Sequence, residues 1–484
     1  MVADLLDDVP VAEVRGDARS TTVSSVEFDS RRAIAGALFC CVPGERTDGH
    51  AHAAEAVARG ATSLLCEHFC DVGVTQVRVA PGRVRPAMAS VAAAFWGHPA
   101  RALETVGVTG TNGKTTVTQL VRAVLEADGR ATGVVGTLGG ARTTPEAPDL
   151  QRTLAGMVAE GRRAVAMEVS SHALTQHRVD GIVFDVAVFT NLSRDHLDHH
   201  GTMEAYFEAK ASLFTPERCR HAVVVADDRW GERLLERLRG LEGDDFAVTA
   251  VRADEAGDVE LAVGGSRFTW RGRRVRLPLT GRFNVENALA AAAVGTALGV
   301  DGDRVAEGLA AAAPVPGRME VVGAGSPVAV LVDYAHTPAG LAVALDAARA
   351  LAGGGRVLCV FGCGGDRAPG KRPQMGAAAT ARADVVVLTS DNPRSEDPAA
   401  IIEAIRAGAV EGAEVVVEPD RAVAIGAAVG RARPGDVVLV AGKGHEETQT
   451  TGGTVVPFDD RVEVARALTE RFGTVDGDPG GPTR

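Results

Sequence analysis

No run of 18 apolar residues occurs in this 484-residue chain, which excludes a transmembrane helix as a sequence-level expectation. The first residues, Met1-Val2-Ala3-Asp4-Leu5-Leu6-Asp7-Asp8, lack the basic region and apolar core of a secretory signal, so a cytoplasmic protein is expected. A disulfide framework is missing too: Cys40, Cys41, Cys66, Cys70, Cys219, Cys359 and Cys363 are odd in number and scattered, which fits a reducing compartment. Cys66, His68 and Cys70 have no second ligand pair at finger spacing, and no zinc site is read there. Positive charge is the minority, 51 Lys plus Arg against 63 Asp plus Glu, and the net charge of -12 argues against nucleic acid or an anionic membrane as the main partner. Anionic small molecules stay open, because local loops bind them. Internal repeats are absent, and only the tail from about Asp476 reads as disordered.

What is present describes a folded chain of several domains. Hydrophobic residues make up 45% and charged residues 24%, ordinary for a globular protein, and the length suggests two to four domains at about 100 to 200 residues each. Fifty-seven glycines exceed the usual share and point to loops with unusual backbone angles or close approach to a ligand. Short apolar runs alternate with Ala-rich helical patterns up to His98-Pro99, giving a small α/β unit. A new apolar strand, Thr105 to Thr109, then enters a Gly-rich turn and a helix from about Thr115 to Ala127. Ala164 to Val169 and Val183 to Phe189 are near-continuous apolar runs, as expected of parallel strands buried on both faces. After a Pro314, Pro316, Gly317 linker come Val328 to Asp333, Arg356 to Phe361, Val385 to Thr389, Glu414 to Glu418 and Val437 to Val440, separated by helical segments. The fold class expected is α/β in three domains. They are a small N-terminal unit over residues 1–101, a central phosphate-loop parallel-sheet unit over 102–314, and a Rossmann-like doubly wound unit over 315–484.

The strongest chemical signal is Gly110-Thr111-Asn112-Gly113-Lys114-Thr115-Thr116 between a buried strand and a helix, the context a phosphate-cradling loop requires. Lys114 would neutralise the β and γ phosphates and the Thr115 hydroxyl would ligate Mg²⁺. Strict spacing wants Gly at position 108, where Val108 stands, with Gly107 one residue earlier. Glu168 ends the next apolar strand, where a carboxylate can face the loop and hold a metal. His196 is retained as a candidate from the His-rich stretch Asn191 to His200. Three more constellations follow strands: Asp333-Tyr334-Ala335-His336, Gly362-Cys363-Gly364-Gly365-Asp366-Arg367 and Ala441-Gly442-Lys443-Gly444-His445-Glu446. With the phosphate loop they imply a nucleotide enzyme whose C-terminal domain helps to bind substrate.

From about Asp29 to Val464 the chain resembles the Mur ligase family, and within it the members that add the third amino acid of the peptidoglycan precursor. The resemblance makes the first domain a uridine-binding one, assigning Ser30, Glu45, Arg46 and Thr47 to the UDP moiety. Thr143, Thr144, Ser170, Gln176 and Arg178 are similar to muramoyl-peptide contacts, and Asn287, Arg318 and Asp333 to residues that hold ATP, the co-substrate. Lys210 matches a lysine that the family carbamylates, which would complete the ligands of two Mg²⁺ ions with Glu168, His196 and Thr115. Asp391-Asn392-Pro393-Arg394, with Arg367, Gly442 and Glu446, resembles the signature for meso-diaminopimelate rather than L-lysine. Arg394 can pair with the distal carboxylate that lysine lacks. His199 stands where a Tyr is commoner in the family.

The activity implied is ATP-dependent joining of meso-diaminopimelate to UDP-N-acetylmuramoyl-L-alanyl-D-glutamate through an acyl phosphate, by a monomer that needs neither nucleic acid nor membrane insertion. Lys114, Glu168, His196 and Lys210 are the expected catalytic group, with His336 as an aid in positioning. An open resting state that closes on substrate is expected, because the three ligands fall on three domains. The rivals are the same reaction with L-lysine, a folylpolyglutamate synthetase, and a nucleotide-binding scaffold without turnover.

Overall fold

The computed structural model describes residues 1–44, 47–140 and 142–473. The expected disordered tail, and the two uridine-loop candidates Glu45 and Arg46, lie outside these residues.

The first unit is a five-stranded sheet in the order Val11–Arg15, Thr75–Val79, Ser63–Cys66, Ala37–Cys40, Ser25–Glu27, antiparallel only at the Val11–Arg15 edge. Helix Val84–Phe95 covers one face with Val84, Met88, Val91 and Ala92, a helical spacing that buries one stripe.

The second unit is a six-stranded sheet, parallel throughout, in the order Ala247–Val251, Cys219–Val225, Phe184–Phe189, Glu104–Thr109, Ala164–Glu168, Thr132–Val135. Its central strands are buried from end to end because helices cover both faces, which is why they read as unbroken apolar runs. On one face lie Lys114–Ala127, Arg282–Ala297 and Gly302–Ala311, where Val117, Leu120, Val121 and Val124 meet the Ala-rich face of the second helix. Ala147–Ala159 and Met203–Ala211 pack on the other. A three-stranded antiparallel sheet, Ala256–Ala262, Gly265–Trp270 and Arg273–Leu277, is an addition to the strands expected from the sequence.

The third unit is a six-stranded sheet ordered Glu320–Val322, Ala329–Asp333, Val437–Ala441, Val357–Phe361, Val385–Leu388, Glu414–Val417, with only the first strand antiparallel. Helices Pro338–Ala352, Arg372–Thr380 and Pro398–Arg406 cover one face, and Arg421–Arg431 and Asp460–Phe472 the other. This is the doubly wound arrangement expected. The carboxyl ends of its strands, where such sheets bind ligands, carry the Asp333, Gly362, Asp391 and Gly442 loops.

Ion pairs join the first two units: Arg32 makes a two-pronged contact with Asp149 at 2.9 and 3.2 Å, and Arg85 reaches Glu146 at 3.3 Å. The third unit is docked on the second. Arg318 donates to the Thr115 hydroxyl at 3.2 Å, and His336 Nε2 stands 3.9 Å from Asp195. The open arrangement expected at rest is therefore not the one described here.

Candidate active site

The Glu104–Thr109 strand ends in the phosphate loop, which leads into helix Lys114–Ala127. Two glycines make the turn. Gly110, at φ +151°, has no room for a side chain, since a Cβ would lie 1.8 Å from Thr190 Oγ1. Gly113, at φ +86°, would drive a Cβ to 2.5 Å from Asn287 Oδ1. The loop is held from behind by the end of the Phe184–Phe189 strand. Thr111 N–H donates to Asn191 O at 2.9 Å, Asn112 N–H to Asn191 Oδ1 at 3.0 Å, and Thr190 Oγ1 donates to Asn112 O at 2.6 Å. Lys114 folds back on its own loop, donating to Gly110 O at 3.0 Å and Thr111 O at 2.8 Å. Burial lowers its pKa.

Glu168 faces this loop as its strand-end position suggests. Its Oε2 accepts from Thr115 Oγ1 at 3.1 Å and its Oε1 from Thr137 N–H at 2.8 Å. The donor set fits a hard divalent ion, since the Thr115 hydroxyl and the Glu168 carboxylate present oxygen atoms side by side at a phosphate loop. His196 sits at φ +52°, with Nε2 3.5 Å from Asp195; burial pushes its pKa down to about 4, leaving a neutral ring with a free ligand nitrogen. Among the described residues, no group of three or more His, Cys, Asp or Glu side chains is placed to hold a metal by itself. An ion held here would need further oxygen donors from outside these side chains, as a bound phosphate provides. Lys210 is buried, with Nζ 2.7 Å from Gly110 O and 4.8 Å from the centre of the Tyr206 ring. Burial, and Lys114 beside it, lower its pKa far below the lysine range, favouring the neutral amine, the form that reacts with carbon dioxide.

Asn287 donates to Asn284 Oδ1 at 3.0 Å beside Gly113. Asp333 accepts backbone N–H bonds from Met319 and Ala335, each at 2.8 Å, and so pins the linker to the third sheet. Arg318 lies over the Tyr334 ring at 4.4 Å, poised between the linker and Thr115. His336 Nδ1 donates to its neighbour Tyr334 O at 2.9 Å, and burial lowers its pKa.

The third-domain loops form one connected polar cluster. Asn392 Nδ2 donates to Glu446 Oε2 at 2.8 Å, and Tyr334 Oη to Glu446 Oε1 at 3.4 Å. Asp391 is buried below them, and burial raises its pKa; Gly442, at φ +116°, lets the next loop pass close to that carboxylate. Pro393 is buried, while Arg394 is half-buried with a guanidinium N–H donated to Gly365 O at 2.7 Å. Arg367 is exposed at the rim.

Toward the first domain, Thr144 Oγ1 donates to Glu168 O at 2.8 Å, and Thr143 Oγ1 lies 3.0 Å from Thr137 Oγ1. Ser170 caps a short helix, accepting Ala173 N–H at 3.1 Å. Arg178 donates to Thr144 O at 2.9 Å, to Gln176 Oε1 at 2.6 Å and to Glu146 at 2.9 Å. Ser30 is further off, donating to Glu55 at 2.8 Å, and Thr47 Oγ1 is 2.9 Å from His52 Nε2.

Sequence reasoning passed over several residues. Glu146 is buried and shared by Arg85, Arg142 and Arg178, at 3.3, 2.5 and 2.9 Å. Asp195 is buried, which raises its pKa, but His196 with its N–H bond, His336 and Lys371 around it more than offset this and leave it below the usual carboxylate value. Lys371 donates to His336 O at 2.9 Å, and Lys443, fully buried, donates to Thr448 O at 2.6 Å with Glu446 Oε2 at 3.5 Å. Rarity was the signal that could have found them. The chain holds four lysines, Lys114, Lys210, Lys371 and Lys443, and two tyrosines, Tyr206 and Tyr334, and all six line these loops. Elsewhere Arg carries the positive charge, and a lysine's compact ammonium is not interchangeable with a guanidinium.

Fold and site together define a phosphate-loop enzyme of three α/β domains, with a second cluster of charged loops facing the phosphate loop across the domain junction. Three family models match in succession: "Mur ligase family, catalytic domain" over residues 22–112, "Mur ligase middle domain" over 108–295, and "Mur ligase, glutamate ligase domain" over 317–444. The UDP-N-acetylmuramoyl-L-alanyl-D-glutamate--2,6-diaminopimelate ligase of Geobacillus kaustophilus is 45% identical, covering 93% of this chain and 95% of its own length. The enzyme of that name from Streptomyces coelicolor is 44% identical over 98% of this chain and 97% of its own. A solved structure carrying the same enzyme name superposes with a TM-score of 0.68 at 31% identity, covering 98% of this chain and 100% of that one. The chain belongs to the Mur ligase family.

Proposed function

We propose that this protein joins meso-2,6-diaminopimelate to UDP-N-acetylmuramoyl-L-alanyl-D-glutamate with hydrolysis of ATP to ADP and phosphate, the reaction that its full-length relatives' names describe. The observation that carries the ligase reading is the approach of buried Lys210 to Gly110 O of the phosphate loop, 2.7 Å, beside Glu168 and Thr115. A mere nucleotide-binding scaffold has no need of a neutral lysine there.

The carboxylate of the D-Glu side chain attacks the γ phosphorus of ATP, ADP leaves, and the amine of diaminopimelate then attacks the acyl carbon, expelling phosphate and losing a proton. The first step is needed because a carboxylate cannot expel oxide at neutral pH. Lys114 unfolds from Gly110 O and Thr111 O to neutralise the phosphates, while the loop N–H groups from Gly110 to Thr116 cradle them. Thr115, Glu168, His196 and a carbamate on Lys210 would hold two Mg²⁺ ions, which supply charge stabilisation to the transferring phosphoryl group when bound. Asn287, Arg318 and Asp333 hold the nucleotide, and His336 orients the junction.

Ser30, Glu45, Arg46 and Thr47 take the UDP end, and Thr143, Thr144, Ser170, Gln176 and Arg178 the peptide. Asp391, Asn392, Pro393, Arg394, Arg367, Gly442 and Glu446 take the amino acid. Glu446 suits its ammonium groups and Arg394 its distal carboxylate, the group by which diaminopimelate differs from lysine. Divided as 1–101, 102–314 and 315–484, one chain carries the complete set, so a monomer suffices. ATP and a UDP-linked precursor point to the cytoplasm as its place of work, and among the described residues no helix is long and apolar enough to cross a membrane.

The test is ATP-dependent phosphate release with the UDP-muramoyl dipeptide, comparing meso-diaminopimelate, L-lysine and no amino acid. Release with diaminopimelate alone is expected. Release with lysine would keep the ligase and overturn the role of Arg394, and silence in all three arms would overturn the ligase.

A further inference from the structure

The C-terminal unit carries a two-stranded antiparallel hairpin, Thr448–Thr451 and Thr454–Pro457, that is not part of its six-stranded sheet. Every residue of the second strand is exposed, and the first strand buries none fully. The hairpin therefore adds little to the hydrophobic core, yet its first strand is bonded along its length to the loop Asp391 to Arg394. Gln449 Nε2 donates to Asp391 O at 2.8 Å. Thr450 N–H donates to Asn392 Oδ1 at 3.0 Å, and Thr450 O accepts Arg394 N–H at 2.9 Å. Gly452 N–H donates to Arg394 O at 2.6 Å, and Lys443 Nζ donates to Thr448 O at 2.6 Å.

These bonds fall on a backbone that needs holding. Arg394 sits at φ +54°, a left-handed conformation that a side-chain-bearing residue adopts only with strain. Both its backbone groups are engaged by the hairpin, which fixes the direction in which its guanidinium leaves the chain. A bidentate contact between guanidinium and carboxylate depends on that direction within a fraction of an ångström.

We propose that the Thr448–Pro457 hairpin is a specificity element, whose backbone poses Arg394 for the distal carboxylate of the incoming diamino acid. This rests on the activity proposed above. Thr450 and Gly452 are positioning residues that touch no substrate; their effect reaches it through Asn392 and Arg394.

The test is phosphate release by the full-length enzyme with ATP and the UDP-muramoyl dipeptide, titrating meso-diaminopimelate and L-lysine in turn. Both backbone groups of Thr450 point at the loop, so Thr450→Pro deletes the bond to Asn392 while leaving the hairpin ladder. Thr450→Pro is expected to raise KM for diaminopimelate about tenfold and cut the preference over lysine by a similar factor, with kcat and the ATP KM within about twofold of wild type. Thr450→Val keeps both backbone groups and restores the wild-type KM. Gln449→Leu, which removes only the side-chain donor to Asp391 O, gives a smaller rise of the same sign and serves if proline unfolds the domain. Unchanged discrimination in Thr450→Pro and Gln449→Leu overturns the proposal, as does a loss of kcat shared by both amino acids. Wild-type protein that releases no phosphate with diaminopimelate overturns the activity itself, an outcome distinct from failure of the hairpin's role.

Discussion

His200 and His445 lie on opposite sides of the domain junction, and burial pushes both down to about 4 from 6.5. Each is neutral in the folded protein at physiological pH. Because the folded value lies below the unfolded one, the unfolded chain takes up protons first as pH falls, and the stability held above about pH 6.5 is lost on the way to pH 4. Urea midpoints should therefore be flat near neutrality and decline below it, and His200→Gln combined with His445→Gln should flatten the decline. At this scale the sequence was legible where chemistry is local. Gly110 to Thr116 is recognisable because the turn demands its glycines and lysine at fixed offsets. Glu146 was invisible, since its three arginine partners, Arg85, Arg142 and Arg178, come together only through tertiary contacts.

Among the elements, Arg421 is the clearest case of a helix terminus acting at a distance. It begins the helix Arg421–Arg431, pairs with Asp460 at 2.7 Å through two nitrogens, and donates to Ser390 O at 3.2 Å and Ala441 O at 3.0 Å. Both side chains are fully buried, so this pair ties together the loops that follow strands Val385–Leu388 and Val437–Ala441. Asp460→Asn leaves a buried guanidinium without its counter-charge and should cost about 3–5 kcal/mol in an unfolding titration, where a surface pair would cost far less. The strands of this domain were legible within a residue or two, because Val357–Phe361 and Val437–Ala441 are buried on both faces and so are apolar throughout. The hairpin Thr448–Pro457 was not, because Thr-Gln-Thr-Thr has no apolar pattern and owes its place to hydrogen bonds with a distant loop. The antiparallel sheet Ala256–Leu277 was missed although Phe268, Trp270, Val275 and Leu277 alternate as a half-buried strand should, because each apolar run is broken by polar residues and is short.

For the whole molecule, the contacts between Arg318 and Thr115 and between His336 and Asp195 define a docked third domain. Both are polar and converge on the place where phosphates are expected, while Phe283 of the second unit adds an apolar contact with the core of the third. Solution scattering should show a more extended average for the free protein, and compaction toward the docked arrangement when ATP analogue and UDP-muramoyl dipeptide are both present. Equal dimensions with and without ligands would mean that the chain rests docked. The gathering of all four lysines into these loops reaches beyond catalysis. None of the four is exposed, whereas Met1 is 39% exposed with its amine 2.6 Å from the Asp4 carboxylate, so among the described residues the Met1 amine is the most accessible to solvent. Acylating dyes, amine crosslinkers and coupling resins should attach there first, giving a uniformly oriented, singly labelled protein, and further labelling would report that the domains have parted.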